Sequence, residues 1–167
     1  MATITLRPNG TAEFGSYVVT GAATAHEATD EITADDATTY VTPDAESGFV
    51  LLFDDMPSGA TIQDIRLYYR FSIPSGSRNI YVVLGDSALN SYFADFVTVS
   101  GSWQTRDSGV ISINPLTGVA FTEAEINDIV VYLGTTETTA RPQYTQTYLV
   151  VNYTTSSQSN SLLFAGD

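Results

Sequence analysis

Side chains able to do acid–base, nucleophilic or metal chemistry form a narrow set in this sequence. There are nineteen carboxylates, one histidine and ten tyrosines, with six basic residues that are all arginine and no cysteine. A Ser–His–Asp relay would have to use His26, which sits in Ala25-His26-Glu27-Ala28. No Gly-x-Ser-x-Gly elbow, the strained turn that exposes a nucleophilic serine, accompanies it, so His26 reads as a surface or loop-packing residue. Without cysteine there is no disulfide, thiol nucleophile or thiolate metal site. Without lysine there is no Schiff-base chemistry and no P-loop cradle for phosphate.

The acids are densest at Glu27, Asp30, Glu31, Asp35 and Asp36. Hard cations collect several carboxylate and carbonyl oxygens, so Asp30, Glu31, Asp35 and Asp36 are the candidate ligands for a structural calcium. Their spacing lacks the alternation, central glycine and closing glutamate of an EF-hand, and a solvated acidic loop is the competing account. Asp54-Asp55 is a weaker candidate. Glycoside hydrolysis needs two carboxylates flanking a sugar, and nineteen acids supply too many pairs to choose among. Sugar binding without catalysis needs exposed aromatic rings; Tyr68 and Trp103, the lone tryptophan, are the candidates. Tyr68, Tyr81 and Tyr92 would lie on a solvent-facing sheet surface, for which cross-strand packing or a subunit interface, where tyrosine is enriched, is the competing account.

Charge limits the partners. The formal net charge is −13 over 167 residues. Such a polyanion has too little positive charge to displace counterions from nucleic acid, and it is repelled by anionic membranes. At low salt the charge opposes compaction; at roughly 1 M salt the Debye length falls to about 3 Å and the repulsion is screened. An acidic, lysine-free composition is the habit of halophile proteins. The start, Met1-Ala2-Thr3-Ile4-Thr5-Leu6-Arg7, is too polar for a signal peptide, and no apolar run approaches the roughly 18 residues of a membrane span. Synthesis in a cytoplasm is the expectation.

The elements that must position these residues are strands. Over 65–73, Ile65, Leu67, Tyr69, Phe71 and Ile73 alternate with Arg66, Tyr68, Arg70 and Ser72, the period of a half-buried strand. Pro74-Ser75-Gly76-Ser77 is turn chemistry, and 78–84 alternates again, so the two predict an antiparallel hairpin. Further strands are expected over 3–6, 17–20, 38–42, 49–53, 93–99, 108–113, 129–133 and 144–153, with the first and last lying side by side. About ten short strands with Gly, Pro, Asn and Asp between them predict an all-β antiparallel sandwich or jelly roll over 1–155.

One short helix is expected over about 122–129. Thr122 and Glu125 have the spacing of a capping box, with Phe121 and Ile126 at the staple positions. Asn114-Pro115-Leu116-Thr117-Gly118 is a turn that ends a strand and aims the chain into that helix. A second helical turn is suggested near 25–32. From 156 the chain is a polar linker ending in Leu162-Leu163-Phe164-Ala165-Gly166-Asp167. It reads as a flexible tail, or as a docking peptide whose Leu162, Leu163 and Phe164 enter a neighbour.

Several segments are familiar in their order. They are Leu6-Arg7-Pro8-Asn9-Gly10, then Asp35-Asp36-Ala37-Thr38-Thr39-Tyr40-Val41, then Phe53-Asp54-Asp55-Met56-Pro57, then Asn114 to Thr122 ahead of the helix and a last Tyr/Val strand. Together they resemble a group of jelly-roll, lectin-like structural proteins encoded among the virion genes of tailed phages and tailed archaeal viruses. That group often has tryptophan where Phe121 stands. The resemblance implies a non-enzymatic virion component, a capsid decoration or turret protein or a tail part, made in the host cytoplasm. With the acidic composition it points to a halophilic host. It implies partners in the major capsid protein or other virion proteins and in a homo-oligomer, trimer to hexamer. The N-terminal strand, Tyr68, Tyr81, Tyr92 and the Leu162–Phe164 tip would then form contacts. The alternative is a carbohydrate-binding module or host-surface adhesin using Tyr68 and Trp103. A small glycosidase is the weakest reading, since 167 residues leave little room for a deep cleft.

Overall fold

The computed structural model describes residues 1–12 and 15–155. Eleven strands and one helix follow in chain order: β1 (Ala2–Leu6), β2 (Pro8–Ala12), β3 (Tyr17–Thr20), β4 (Tyr40–Pro43), β5 (Gly48–Phe53), β6 (Ala60–Ser72), β7 (Ser77–Asp86), β8 (Ser91–Ser100), β9 (Gln104–Asp107), α1 (Glu123–Asn127), β10 (Ile129–Gly134) and β11 (Gln143–Thr155). They make two antiparallel sheets packed as a sandwich. Sheet A runs β3-β4-β11-β6-β9, with β1 also paired to β11; sheet B runs β2-β5-β10-β7-β8. The all-β antiparallel sandwich with one short capped helix, expected from strand periodicity, is the fold.

The core fills the space between the sheets. Sheet A contributes Leu67, Tyr69, Phe71, Tyr144, Leu149 and Val151; sheet B contributes Phe49, Leu51, Ile80, Val82, Leu84, Val131 and Leu133. Tyr144, fully buried, donates its hydroxyl across the core to the Gly134 carbonyl at 2.9 Å. That bond satisfies a polar atom that would otherwise be costly inside.

The expected hairpin over 65–84 does not exist. β6 pairs with β11 and β9, whereas β7 pairs with β10 and β8. The Pro74–Ser77 turn instead carries the chain from one sheet to the other, so the two strands face each other through their side chains. Alternation marks which side of a strand is apolar; it is silent on whether the next strand bonds at the edge or packs on the face. The expected strand over 108–113 is reduced to one bridge, Ile65 with Ile111, and the strand lies earlier, at β9. β2 was not foreseen because Pro8-Asn9-Gly10 has turn composition. It is an edge strand with a register shift between Pro8 and Gly10, where proline is tolerated.

β1 pairs with β11 in register from Ala2↔Tyr153 to Leu6↔Leu149, so the terminal strands adjoin as expected. Between β1 and β4, the edge of β11 is met by the segment 21–39: Thr147 N–H donates to the Thr29 carbonyl at 2.8 Å, and Thr145 Oγ1 to the Thr39 carbonyl at 2.9 Å. Residues 25–32 form turns rather than a helix, with Ala28 N–H to Thr24 at 3.2 Å and Thr29 N–H to His26 at 3.0 Å. The capping box is present: Glu125 N–H donates to Thr122 Oγ1 at 3.2 Å, and Thr122 N–H to Glu125 Oε2 at 2.7 Å. Buried Asn114 ties the preceding turn to it, donating to Glu125 Oε1 at 2.8 Å and accepting from Leu116 N–H at 2.9 Å.

Candidate binding surfaces

Each sheet has an outward face, and the two differ sharply. On sheet A, Tyr68 of β6 pairs directly with Tyr148 of β11. Their neighbours Leu67, Tyr69 and Leu149 are core residues, so both tyrosines point outward. Their rings stack at 4.9 Å between centroids, 13° from parallel. A guanidinium flanks each ring: Arg66 lies 5.1 Å from the centroid of Tyr68 and Arg7 lies 5.4 Å from that of Tyr148. These are cation–π distances. Burial and the neighbouring Tyr68 push the Tyr148 phenol up.

A second aromatic pair shares this face. Gln104 pairs with core residue Phe71, which turns Trp103 outward, and Tyr40 precedes core residue Val41. Their centroids are 6.3 Å apart, although β11 and β6 lie between their strands. Trp103 is four residues before Asp107, the partner of Tyr68, so the two aromatic pairs lie about 13 Å apart along the strands at 3.3 Å per residue.

The arginines here are all engaged. Arg66 Nε donates to Asp107 Oδ1 at 2.9 Å. Arg70 grips Asp36 through both nitrogens, at 2.6 and 2.7 Å. Arg7 donates to the carbonyls of Asp30 and Glu31, the former at 2.9 Å. The Gly109 amide and then Arg66 hold the Asp107 carboxyl below its ordinary value. Arg7, Arg66 and Arg70 thus stand with Asp36, Asp64 and Asp107, and the loop held by Arg7, Arg70 and Gln146 adds Asp30, Glu31 and Asp35 along the edge. Asn152, bonded to Asp64 at 2.8 Å, and Gln146, bonded to the Glu31 carbonyl at 2.7 Å, add amides to the rim.

On sheet B, the outward positions carry no charge. The charged residues within its five strands are Arg78, Asp86 and Asp95, and all three have the core-side parity of Ile80, Val82 and Leu84. Outward stand Leu52, Val83, Tyr81, Phe96 and Tyr132, with Phe96 59% and Leu52 38% exposed. Val50 and Val130 are buried yet stand outside the core cluster, which places them in a second apolar layer. Tyr132 covers the paired Gly48 and Gly134; a Cβ on Gly134 would lie 2.6 Å from its hydroxyl. Tyr81 meets Phe96 edge-on at 4.6 Å and 70°.

The grouping of Tyr68, Tyr81 and Tyr92 on one surface is therefore incorrect. Tyr68 is outward on sheet A and Tyr81 outward on sheet B, separated by the core. Tyr92 is 9% exposed, edge-on to Phe121 at 5.2 Å. Burial, then Asp86, Glu125 and Asp128, pushes its phenol up to about 12. It lines a cleft of about 410 Å³ with Asn114 and those three acids. The β7–β8 twist and the register shift at Gly85 turn it inward, which alternation alone does not foretell. Leu162, Leu163 and Phe164 lie outside the described residues. Tyr148 and Tyr40, which complete the sheet A face, were missed because their partners are distant in sequence.

The acidic stretch is spent on its own loop. Glu27 accepts from the amides of Ala23 and Thr24 at 3.1 and 3.0 Å. Glu31 accepts from Asp35 N–H at 2.9 Å and from the Thr39 hydroxyl, Asp35 accepts from Thr39 N–H at 3.0 Å, and Asp36 holds Arg70. Among the described residues no three His, Cys, Asp or Glu side chains converge as a metal site. Glu31, Asp35 and Asp36 thus spend carboxylate oxygens on the loop and on Arg70, and the carbonyl of Asp30 accepts from Arg7. Asp54 and Asp55 are exposed, the former bonded to Asn9 at 3.1 Å. His26 packs in the loop beside the hydroxyls of Thr11 and Thr24, at 3.3 and 3.4 Å.

No family model and no curated protein matches the chain. Among solved structures it is similar to a GH26-CBM35 β-(1,4)-mannanase of Podospora anserina, at 12% identity and TM-score 0.47, covering 91% of this chain and 28% of that one. It is similar to a CBM35 of Paenibacillus barcinonensis at 15% identity and TM-score 0.45, covering 93% and 100%. The CBM22-1 xylan-binding domain of the same organism is 12% identical with TM-score 0.46, covering 87% of each chain. The chain spans about a quarter of the mannanase. Identities and scores this low carry no argument about ligands.

Proposed function

We propose that this chain is a non-catalytic carbohydrate-binding module whose platform is the outward face of sheet A. One observation carries the reading: Tyr68 and Trp103, singled out for sugar stacking, stand on the same face, each beside a second ring. Pyranose rings present apolar C–H faces to aromatic rings and hydroxyls to planar amides, guanidinium groups and carboxylates. Trp103 and Tyr40, tilted rather than stacked, supply the ring for a C–H face, while Tyr68 and Tyr148, stacked on each other between Arg66 and Arg7, supply ring edges and hydroxyls about 13 Å away along the strands, rimmed by Arg70, Asp107, Gln146 and Asn152. The acids along the edge of the face and the −13 of the body repel polyuronate and favour neutral polysaccharide.

Affinity electrophoresis in gels containing soluble neutral β-glucan, xylan or mannan tests it. We expect at least one polysaccharide to retard the protein. Trp103→Ala should weaken binding by about tenfold, the scale of about 1.4 kcal/mol for one stacking ring, and Tyr68→Ala, which removes a hydroxyl and frees Arg66 and Tyr148, should weaken it as well. No retardation by any of them, or retardation unchanged by both substitutions, would remove the reading.

A second reading, a structural component of a virion, rests on the resemblance of the turn-and-strand segments. The charge-free face of sheet B favours it, because an assembling polyanion needs a surface on which copies do not repel. The two readings are compatible, since an assembled protein can present a glycan platform on its opposite face.

A further inference from the structure

We infer that the outward face of sheet B docks a second copy of this chain, face to face about a twofold axis. This contact gives the assembly reading its surface and is independent of the glycan reading.

Three features of the face select that occupant. The first is electrostatic. The chain carries −13, so two copies repel through almost any approach, yet the outward strand positions of sheet B bear no charge at all. A basic partner would seek carboxylates, which this face lacks. The second is chemical. Leu52, Val83 and Phe96 offer no hydrogen bonds and Asn79 and Thr98 bond each other at 2.6 Å, which leaves the hydroxyls of Tyr81 and Tyr132 as few partners for a sugar. The same side chains on a twofold mate are complementary by symmetry, as isologous contacts require.

The third is size. Five strands about 4.8 Å apart and about six residues of 3.3 Å make a footprint of about 24 by 20 Å, or about 480 Å². That is within the roughly 300–600 Å² of the largest apolar patch on a monomer, a size that is often functional. It falls below the roughly 600–1,000 Å² per partner of a standard interface, in the range of weak, transient contacts. The dimer is therefore concentration-dependent and tightened by salt, which screens the −13 of each body. Phe96, on edge strand β8 and 59% exposed, occupies a position where a charge does not disturb the core.

Sedimentation equilibrium of the full chain, in dilute buffer and at about 1 M sodium chloride, tests the inference. The expected result is a monomer–dimer equilibrium that shifts to dimer in salt. Phe96→Glu and Leu52→Glu should each raise the dimer dissociation constant about thirtyfold, the scale of a central contact, with unchanged circular dichroism. Tyr68→Ala on the opposite face should leave it unchanged. A monomer at every concentration in both salts overturns the inference, as does a dimer indifferent to both glutamates. A monomer that dimerises only when Leu163→Glu and Phe164→Glu are introduced would put the chain's own C-terminal segment on the face, and would also overturn it.

Discussion

Arg106 Nε lies 2.9 Å from Asp95 Oδ2, and this pair joins β9, the edge of sheet A, to β8, the edge of sheet B. The same carboxylate accepts the hydroxyl of Tyr69, a fully buried residue on β6. Asp95 takes the core-side position opposite Val82, an inward charge on an edge strand. Such charges discourage edge-to-edge aggregation, and here the charge also clips the two sheets together along their open side.

The clip has unequal members. Asp95 is 16% exposed and Arg106 40%, so the carboxylate is the group that depends on its partners. Removing it takes away the acceptor of the Tyr69 hydroxyl and the anion beside Arg106. We expect Asp95→Ala to cost about 2–3 kcal/mol in urea unfolding and Tyr69→Phe about 1 kcal/mol, the usual scales for a charged and a neutral hydrogen-bond partner. A double-mutant cycle should show coupling between the two. Equal losses that add without coupling would mean that the bond contributes nothing beyond packing.

The tyrosines set an alkaline limit. Burial raises the phenols of Tyr69, Tyr92, Tyr132, Tyr144 and Tyr148 above their ordinary value, Tyr92 to about 12. Each proton is held more tightly in the folded chain than in the unfolded one. The stability they contribute is thus complete below the unfolded value of about 10 and is lost as pH rises through the raised folded values. Phenolate absorbance should titrate in two stages, exposed tyrosines first and the remainder together with cooperative loss of circular dichroism above about pH 10. A single smooth titration with the fold intact would contradict the burial of Tyr69 and Tyr144.

Much of this architecture was legible one strand at a time. Ile65, Leu67, Tyr69 and Phe71 face the core because alternation fixes a strand's two sides, and Thr122 with Glu125 makes its cap because both partners lie within one turn. Pairing was less legible, since β6 finds β11 and β9 through contacts about eighty and forty residues away in sequence. Hence Tyr148 and Arg7, which complete the environment of Tyr68, carried no local signal. The run Gly48-Phe49-Val50-Leu51-Leu52-Phe53 is apolar on both sides, and such a run conceals which residues serve the core and which serve an outer face. The second apolar layer on sheet B emerges only once Val50 and Leu52 are known to point away from Phe49 and Leu51.

Salt acts on this fold through two electrostatic effects of opposite sign. Arg66–Asp107, Arg70–Asp36 and Arg141–Asp44 are partly exposed pairs at 2.6–2.9 Å, each contributing at most about 1 kcal/mol and weakened by screening. Against them stands the repulsion of a net −13, which the same screening removes. With nineteen acids and six arginines, most carboxylates have no cation, so repulsion outweighs the pairs. Raising sodium chloride from dilute buffer to about 1 M should therefore raise the melting temperature by several degrees, at about 2–4 °C per kcal/mol for a domain of this size. Chloride is the proper salt, since sulfate strengthens apolar burial by itself. Dilute protein keeps dimer formation from adding to the shift. A melting temperature that falls with chloride would mean that the arginine pairs outweigh the repulsion, and the acidic composition would then need a cause other than adaptation to brine.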